Sequence, residues 1–380
     1  MRTTRLTIIV TTTVAAVLAG AAAALADAPA PSPTPSPITL HGVFSATEAY
    51  TSGVNAIGSF DTPTGADSTS RFNVSNAFAI LTKTSATLQF ALQAGAYSIP
   101  TIGVAGNKTI QSGANTDLFG PVPLAYLEYV PSSSFNVSTG VLASLTGAES
   151  TFTYLNWNIQ RGAVWNVENA VERGIRANWT QGKTTLTLGA NDGYYSGNFG
   201  AAEAAVSYAL DPSDSILAVW LDPNARTPGN KTTSIANKEL LNLVYTRTSG
   251  KLQLAPYVLW ARSPASSALG YANSESAFGG AVLANLTWSN NYSTALRWET
   301  LHDSSSATDS SVNADLIGYG PGSGITSWTL TPAWKLGGGA FFRIDLSQVH
   351  VKGAAPGLAF DTTGNATNQS RVVLELGTQL

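Results

Sequence analysis

The residues best suited to chemistry crowd into one segment, "TYLNWNIQRGAVWNVENAVERG", which runs from Thr153 to Gly174. Two tryptophans, two arginines and two glutamates stand together there, whereas most of the chain is rich in Ser, Thr, Asn and Gly. Arginine and glutamate at short range can form ion pairs or bind polar ligands. The segment could be a catalytic site, an ordinary buried helix, or an insert that occupies a hole in the fold.

Recognisable catalytic and metal-binding motifs are absent from the sequence. His41, His302 and His350 lie far apart and lack the HExxH spacing of a zinc site. No G-x-S-x-G elbow occurs, and the lack of cysteine removes thiolate ligands, cysteine nucleophiles and disulfides. Because distant residues can meet in a fold, a Ser-His-acid site stays open. We nevertheless expect a protein that is not an enzyme and binds no metal or cofactor.

Further charged residues alternate with apolar ones along the chain. In "FFRIDLSQ", Phe342, Ile344 and Leu346 alternate with polar residues, and "TALRWETL" and the terminal "SRVVLELGTQL" repeat the pattern. Alternation with period two predicts strands with one apolar and one polar face. The polar faces carry Arg176, Glu203, Arg297, Glu299, Arg343, Asp345, Arg371 and Glu375.

The connections between these strands alternate strictly in length. Short turns are predicted at Thr82–Ser85, Pro131–Ser134, Thr180–Lys183, Asp211–Asp214, Thr248–Lys251, Ser289–Asn291 and Leu336–Gly339. Long polar segments are predicted at Thr51–Ser70, Ser98–Gly120, Thr146–Glu172, Asn191–Gly200, Asp222–Asn237, Arg262–Glu275, His302–Ser323 and Lys352–Asn368. Seven turns and eight long segments join sixteen strands between Ile38 and Leu380.

This pattern predicts an all-β fold: a closed, antiparallel, up-and-down transmembrane β-barrel of about 16 strands over residues 38–380. Only 11% of the residues are charged, against about 25% in soluble proteins. The strands near Ile216–Leu221 and Leu240–Thr246 alternate poorly, and a soluble β-sandwich would contain similar strands. A sandwich, however, does not require long and short loops to alternate. Tryptophans expected at the two membrane interfaces are Trp179, Trp260, Trp288, Trp298, Trp328 and Trp334.

The N-terminus has the features of an export signal. Arg2 and Arg5 precede an apolar stretch that ends in the A-x-A cleavage signature Ala24–Ala26. We expect residues 1–26 to be a signal peptide that is cleaved after export through the Sec pathway; a retained membrane anchor is the alternative. Residues 27–37 contain "APAPSPTPSP", which predicts an extended Pro-rich periplasmic linker.

The third long segment, Thr146–Glu172, is the longest and lies between strands five and six. A water-exposed loop has little use for its apolar side chains Trp157, Ile159, Val164, Trp165 and Val171. Their spacing from Ile159 onward predicts a short helix. A sixteen-strand barrel keeps an aqueous channel, so this loop is expected to fold inward, with Glu149, Arg161, Glu168, Glu172 and Arg173 facing the channel. Alternatively, it caps the mouth or packs on another subunit.

The segments "LAYLEYVPSSSFNVSTGVLASLTGAES", "NWNIQRGAVW" and "ENAVERGIRANWTQGKTTLTLGANDGYYSG" resemble the putative β-barrel porin-2 family, also called OmpL-like. Members show a G-K-x-x-T-x-x-G-x-E pattern, which Gly140, Gly147 and Glu149 match. Val141 stands where lysine is usual and Ser144 where threonine is usual, so any role of that lysine is not carried over. The resemblance is clearest from Leu124 to Gly197 and implies an outer-membrane porin in which the third loop forms a constriction.

We therefore expect a Gram-negative outer-membrane porin that lets small hydrophilic solutes and ions diffuse through a water-filled lumen. On a ring of sixteen strands, strand thirteen lies opposite the third loop, which makes Arg297 the best candidate for the facing wall. Glu149, Glu168 and Glu172 of the loop would form a negative side, and the wall would form a positive side with Arg176, Arg297, Arg343 and Arg371. Such opposed charges would orient solutes and set ion preference. The predicted pore constriction comprises Glu149, Arg161, Glu168, Glu172, Arg173, Arg176, Arg297, Glu299, Arg343 and Arg371. The alternative is a non-transporting surface barrel, such as an adhesin, that acts through its external loops.

Several partners are also expected. The outer face should contact outer-membrane lipid, and a homotrimer is an expectation by analogy with sixteen-strand porins. The C-terminal "VVLELGTQL" resembles the terminal strand that the outer-membrane assembly machinery recognises, although it ends in Leu380 where an aromatic residue is usual. A net charge of −3 does not suggest a nucleic-acid partner.

Overall fold

The computed structural model describes residues 38–52, 70–84, 87–103, 107–108, 119–195, 197, 199–222, 238–267, 270–310, 313–361 and 363–380. The predicted signal peptide and Pro-rich linker lie outside the described residues. The sixteen barrel strands are β1 (Thr39–Ser52), β2 (Ser70–Lys83), β3 (Leu88–Ile99), β4 (Leu124–Ser132), β5 (Phe135–Ala143), β6 (Val171–Gln181), β7 (Thr184–Asn191), β8 (Ala201–Ala209), β9 (Asp214–Asp222), β10 (Glu239–Ser249), β11 (Leu252–Ser263), β12 (Glu275–Ser289), β13 (Tyr292–Asp303), β14 (Gly324–Gly337), β15 (Ala340–Lys352) and β16 (Asn368–Gln379).

Each strand pairs antiparallel with its neighbours in sequence, and β1 pairs with β16 to close the sheet. At this seam Ala46 lies opposite Leu376, and Gly42 and Leu380 exchange two backbone hydrogen bonds of 3.0 and 2.8 Å. A two-residue strand, Asn107–Lys108, pairs antiparallel with the end of β3 and is not one of the sixteen barrel strands. The predicted closed sixteen-strand antiparallel barrel is confirmed.

The connections alternate as the sequence predicts. Short ones occupy residues 84–87, 133–134, 182–183, 210–213, 250–251, 290–291 and 338–339. Long ones occupy residues 53–69, 100–123, 144–170, 192–200, 223–238, 264–274, 304–323 and 353–367. Gly182 and Gly250 open two of the two-residue turns with φ of +59° and +57°, the positive φ that tight hairpins demand.

Side-chain burial alternates along the strands. On β13, Leu296 and Trp298 are 46% and 49% exposed, whereas Arg297 and Glu299, which alternate with them, are fully buried. The outward face is apolar, and at its turn end the rings of Tyr292, Trp334 and Phe342 stack across three strands with centroids 5.3 and 5.7 Å apart. All six tryptophans predicted for the interfaces lie in strands and share the alternation phase of the outward-facing side chains.

The sequence predicts a polar inner wall, but part of the wall in the structure is apolar. On β9 to β12 most inward-facing residues are apolar and buried, among them Val219, Leu240, Leu259, Ala281 and Leu283. Except for Val219, which packs with Leu145 of the third loop, they form one cluster with apolar side chains of long loops: Val164, Val167, Ile317 and Phe360. Because the loops cover this part of the wall, its side chains are buried in protein rather than exposed to water.

The third loop contains two 3-10 helices, Thr153–Leu155 and Val164–Val167. The short helix expected from Ile159 onward forms only as the second of these 3-10 helices. The reason is that the N–H groups of Ile159 and Gln160 bind a side chain of the barrel wall instead of a preceding carbonyl. Among the described residues, no helix has the length and hydropathy needed to span a membrane.

Candidate functional site

The third loop leaves the wall between β5 and β6 and reaches strands on the other side of the ring. Its two ends lie side by side, since the Thr151 hydroxyl donates to the Ala170 carbonyl at 3.0 Å. Between them, residues 152–164, here called the crossing segment, bind side chains of β13, β15 and β16. On a ring of sixteen strands, β13 is eight places from β5, so the crossing segment contacts the wall opposite its own root.

Asp345 of β15 holds one part of the crossing segment. Its two carboxylate oxygens accept the backbone N–H groups of Ile159 at 3.1 Å and Gln160 at 2.8 Å. The Thr331 hydroxyl donates to the same carboxylate at 2.5 Å and fixes its orientation. Hydrogen bonds from backbone N–H groups stabilise a buried carboxylate, so Asp345 anchors the loop through its backbone.

Glu299 of β13 repeats this arrangement four residues further along the loop. It accepts the N–H groups of Ala163 at 2.8 Å and Val164 at 3.1 Å, and the Ser327 hydroxyl at 2.6 Å. Gly162 precedes the pair, and a Cβ atom there would lie 2.2 Å from a Glu299 oxygen. Only glycine therefore lets the loop approach this carboxylate.

Wall arginines bind the carbonyl groups of the same segment. Arg297 donates to Glu149 at 2.5 Å and to the Gln160 carbonyl at 2.6 Å. Arg343 donates to the carbonyls of Asn156 at 2.6 Å and Thr153 at 3.0 Å. The predicted facing residue, Arg297, thus lies opposite the root of the loop and in direct contact with it.

Arg371 and Glu375 of β16 complete this face of the wall. Arg371 donates to the Gln160 side-chain oxygen at 3.0 Å and to the Thr101 carbonyl of the second long loop at 2.9 Å. Glu375 pairs with Arg343 and accepts the hydroxyl of Thr153 at 3.1 Å. The second and third long loops are therefore both bound by β16.

The crossing segment also has an apolar side. Phe152 packs edge-on against Phe78 and Tyr97 of the wall, with ring centroids 5.1 and 5.3 Å apart. Tyr154 lies in the same cluster and donates its hydroxyl to Gln93 at 2.9 Å. Val164 and Val167 pack on the β9–β12 wall. Apolar packing and backbone hydrogen bonds therefore act together to dock the segment.

Arg161, predicted to face the channel, is fully buried within the loop itself. Its guanidinium donates to the Thr151 carbonyl at 2.7 and 3.1 Å and to the Ile159 carbonyl at 2.7 Å. Burial lowers the pKa of Arg161 to about 9. The side chain holds the two sides of the loop together.

Two predicted residues, Glu172 and Arg176, form a separate group at the loop's root. Arg176 pairs with Glu172 at 2.5 Å and with Glu203 at 2.9 Å. Arg173, which was also predicted, does not join them. It shares the outward phase of β6, keeps 43% of its side chain exposed, and pairs with Asp192 of the fourth long loop at 2.7 Å.

Glu168 is the one predicted carboxylate of the loop whose two oxygens have no hydrogen-bond partner among the described residues. It is 6% exposed and lies directly against Gly147, where a Cβ atom would be 2.0 Å from its Oε2. Burial raises the pKa of Glu168 well above its usual range, and the nearby Glu149 carboxylate adds to this shift.

The structure gives physical reasons for the motif residues Gly140, Gly147 and Glu149. Gly140 lies so close to β4 that a Cβ would be 2.2 Å from the Ala125 carbonyl oxygen. Gly147 has a φ of +75° and makes room for Glu168. Glu149 accepts hydrogen bonds from Arg297 at 2.5 Å and from the Gly162 N–H at 2.9 Å.

The sequence analysis expected a negative loop side facing a positive wall. In the structure the wall alternates sign, with Glu299, Asp345 and Glu375 among its arginines. Its charged side chains are buried and bind the loop or one another. Asp345 and Gly162 were not among the predicted site residues, because their role depends on backbone N–H groups that leave no pattern of side-chain types in the sequence.

The barrel is similar to several solved outer-membrane proteins. It matches the anion-selective porin from Comamonas acidovorans with a TM-score of 0.59, 12% identity, and coverage of 90% of this chain and 99% of that one. DcaP, the outer membrane channel of Acinetobacter baumannii, matches with a TM-score of 0.58, 13% identity, and coverage of 90% and 97%. The trimer form of OmpT from Vibrio cholerae matches with a TM-score of 0.54, 11% identity, and coverage of 90% and 99%.

At these identities the likeness establishes the barrel fold alone, and no curated protein sequence matches the chain significantly. Family membership rests on the sequence of the barrel itself. A family model described as putative beta-barrel porin-2, OmpL-like, matches residues 37–380, which include every strand of the ring. The chain belongs to this family of outer-membrane β-barrel porins.

Proposed function

We propose that the barrel is a passive diffusion channel for small hydrophilic solutes and ions, and that its third loop narrows the lumen. The observation that carries this proposal is the attachment of the crossing segment to the opposite wall. Asp345 and Glu299 bind four backbone N–H groups of that segment. A loop that served only as an external surface would not need anchors on the inner face of β13 and β15.

The polar inner wall near the short turns favours a hydrophilic solute as the molecule that passes through the channel. Inward-facing Gln89, Asn136, Gln253, Asn285 and Thr287 remain partly exposed there, and Asn285 donates to Gln253 at 3.0 Å. Neutral amide and hydroxyl groups can replace the water around a polar solute without demanding one sign of charge. Membership of a porin family points the same way, towards a channel rather than an enzyme.

Other parts of the proposal concern export and assembly. The N-terminal segment would be removed after Ala26, the Pro-rich linker would lie in the periplasm, and the terminal strand would be recognised by the outer-membrane assembly machinery. A homotrimer is proposed because the trimer form of OmpT shares this fold. Lipid would surround the rest of the outward apolar face.

Reconstitution of the purified barrel in a planar lipid bilayer tests the proposal. We expect stepwise increases in conductance as single molecules insert, and a reversal potential in a salt gradient that reports ion preference. Folded barrel that inserts without any conductance over the accessible pH range would contradict the proposal. Binding to cell surfaces or matrix proteins by such a silent barrel would instead favour an adhesin.

A further inference from the structure

Glu168 is a buried carboxyl group that forms no ion pair with any described cation. Both of its oxygens lack hydrogen-bond partners among the described residues, and only 6% of the residue is exposed. The preceding Val167 is completely buried in the apolar cluster on the β9–β12 wall. An isolated carboxylate in such surroundings is strongly disfavoured relative to the neutral acid.

Of the groups that face Glu168, only the uncharged Tyr257 hydroxyl favours its ionised form. Glu149 of the same loop and Glu299 of β13 are both acidic, and their shared cation, Arg297, lies 2.5 and 3.4 Å from them. On β11 and in the fourth loop the facing groups are the hydroxyls of Tyr257 and Tyr194. The nearby Lys238 ammonium lies 5.5 Å over the Tyr194 ring and interacts with Asp303 and Asp315 instead.

We propose that Glu168 carries a proton while the third loop is docked, and that losing this proton releases the loop, so that the channel opens as pH rises. The inference rests on the proposed function, because it assigns a regulatory step to the constriction. The carboxyl would be neutral against Gly147 and Val167 in the docked loop, and charged only where water can reach it.

The sign of the pH effect follows from the direction of the shift. Burial raises the pKa of Glu168 above the ordinary value of about 4.3, so the docked loop binds more protons than the released one. Docking is therefore unaffected below the ordinary pKa and weakens as pH rises from there to the raised value. One linked proton changes the docking equilibrium by at most about tenfold per pH unit.

A different effect operates in acid. Asp345 and Glu299 accept backbone N–H groups with both oxygens, and a protonated carboxyl would turn one acceptor into a donor. Strong acid would thus also loosen the loop, through the wall. Comparison of wild type with Glu168→Gln at each pH isolates the contribution of Glu168.

Bilayer conductance between pH 6 and pH 9 gives the first test. We expect wild-type conductance or open probability to rise with pH, and Glu168→Gln to keep the low value throughout, because its neutral amide does not titrate. Glu239→Gln is the matched control, since Glu239 pairs with Arg262 on the outward face at 3.5 Å and should leave the pH response intact. Glu168→Ala replaces the amide variant if the latter does not fold.

Chemical labelling gives a second test that does not depend on conduction. The chain lacks cysteine, and Ala163 is 2% exposed in the docked loop, so Ala163→Cys reports release of the loop. The rate of maleimide labelling should rise with pH more steeply than in the same variant carrying Glu168→Gln. Equal pH profiles would overturn this inference while leaving a conducting barrel intact, whereas pH-dependent labelling without any conductance would contradict the proposed function instead.

Discussion

Asp345 and Glu299 each bind two neighbouring backbone N–H groups of the third loop, and this geometry sets the cost of changing them. Asp345→Asn keeps the size of the side chain but replaces one accepting oxygen with an NH2 group that faces an N–H donor. A buried donor left without an acceptor costs about 1–3 kcal/mol. We therefore expect this substitution to raise the population of released loop.

Trypsin reads out that change, because Arg161 is fully buried in the docked loop. Folded Asp345→Asn barrel should yield the fragment ending at Arg161 faster than wild type, as measured by mass spectrometry over time. Asp214→Asn serves as the control, since Asp214 lies 3.8 Å from Arg247 near a short turn and far from the loop. Identical cleavage rates for both variants and wild type would show that Asp345 does not hold the loop.

At the scale of elements, the third loop behaves as an insert with adjoining ends. Thr151 and Ala170 are in hydrogen-bond contact at 3.0 Å, so residues 152–169 can be replaced by a short glycine linker without displacing β5 or β6. We expect the deletion to increase single-channel conductance and to admit larger solutes in liposome-swelling assays, because the segment that crosses to β13 is gone.

The two functional hypotheses separate on this variant. A channel narrowed by the loop gains conductance on deletion, while an adhesin loses binding and its conductance stays as it was. Heat-resistant migration on gels and far-ultraviolet circular dichroism establish that the barrel has folded. Removal of residues 354–366 of the eighth loop, a shorter deletion from another long loop, is the comparison and should change conductance less.

Strand positions could be predicted because a membrane barrel imposes alternation on nearly every strand. The exceptions are informative: Ile216–Leu221 and Leu240–Thr246 alternate poorly in the sequence, and they belong to β9 and β10. Their inward side chains, such as Val219 and Val244, are apolar because loops pack on them. Apolar and polar residues alternate where one face of a strand contacts lipid and the other contacts water. The alternation is lost where both faces of a strand contact apolar groups.

Site residues were less accessible to prediction than strands. Arg297 could be placed opposite the third loop by counting strands, and its contact with Glu149 follows that count. Arg173 could not be distinguished from Glu172, because the start of β6 was uncertain by a residue and one residue decides which face a side chain occupies. The backbone anchors at Asp345 and Gly162 depend on three-dimensional proximity alone.

For the whole molecule, the outward face determines stability in the membrane. Val282 lies midway along β12 and faces outward, with 44% of its surface exposed. Val282→Arg should lower the free energy of unfolding in lipid vesicles by about 2–4 kcal/mol, because arginine at the bilayer midplane loses its hydration. Urea titration followed by tryptophan fluorescence measures the change.

A substitution at a different depth in the membrane provides the control for that experiment. Thr326 is also exposed and outward-facing but lies near the loop end of β14. Thr326→Arg should cost about 0–1 kcal/mol, as expected near the interface. Equal losses for both variants would mean that the outward face does not lie in a bilayer along the assigned axis.

The expected signal peptide leads to a separate prediction about the whole chain. The mature protein isolated from outer membranes should begin at Asp27, since the A-x-A signature ends at Ala26. Intact-mass measurement decides this directly. Ala24→Leu together with Ala26→Leu should slow processing and leave a longer chain, whereas unchanged processing would place the cleavage site elsewhere.

The mode of attachment of the crossing segment has an evolutionary consequence. Asp345, Glu299 and Arg343 bind its N–H and carbonyl groups, and every residue type offers the same two groups except proline, which lacks the N–H. Side chains of this segment that do not pack can therefore be exchanged without loss of anchorage. A lineage of such barrels could diversify what passes through the pore by altering these side chains while inheriting the anchoring wall unchanged.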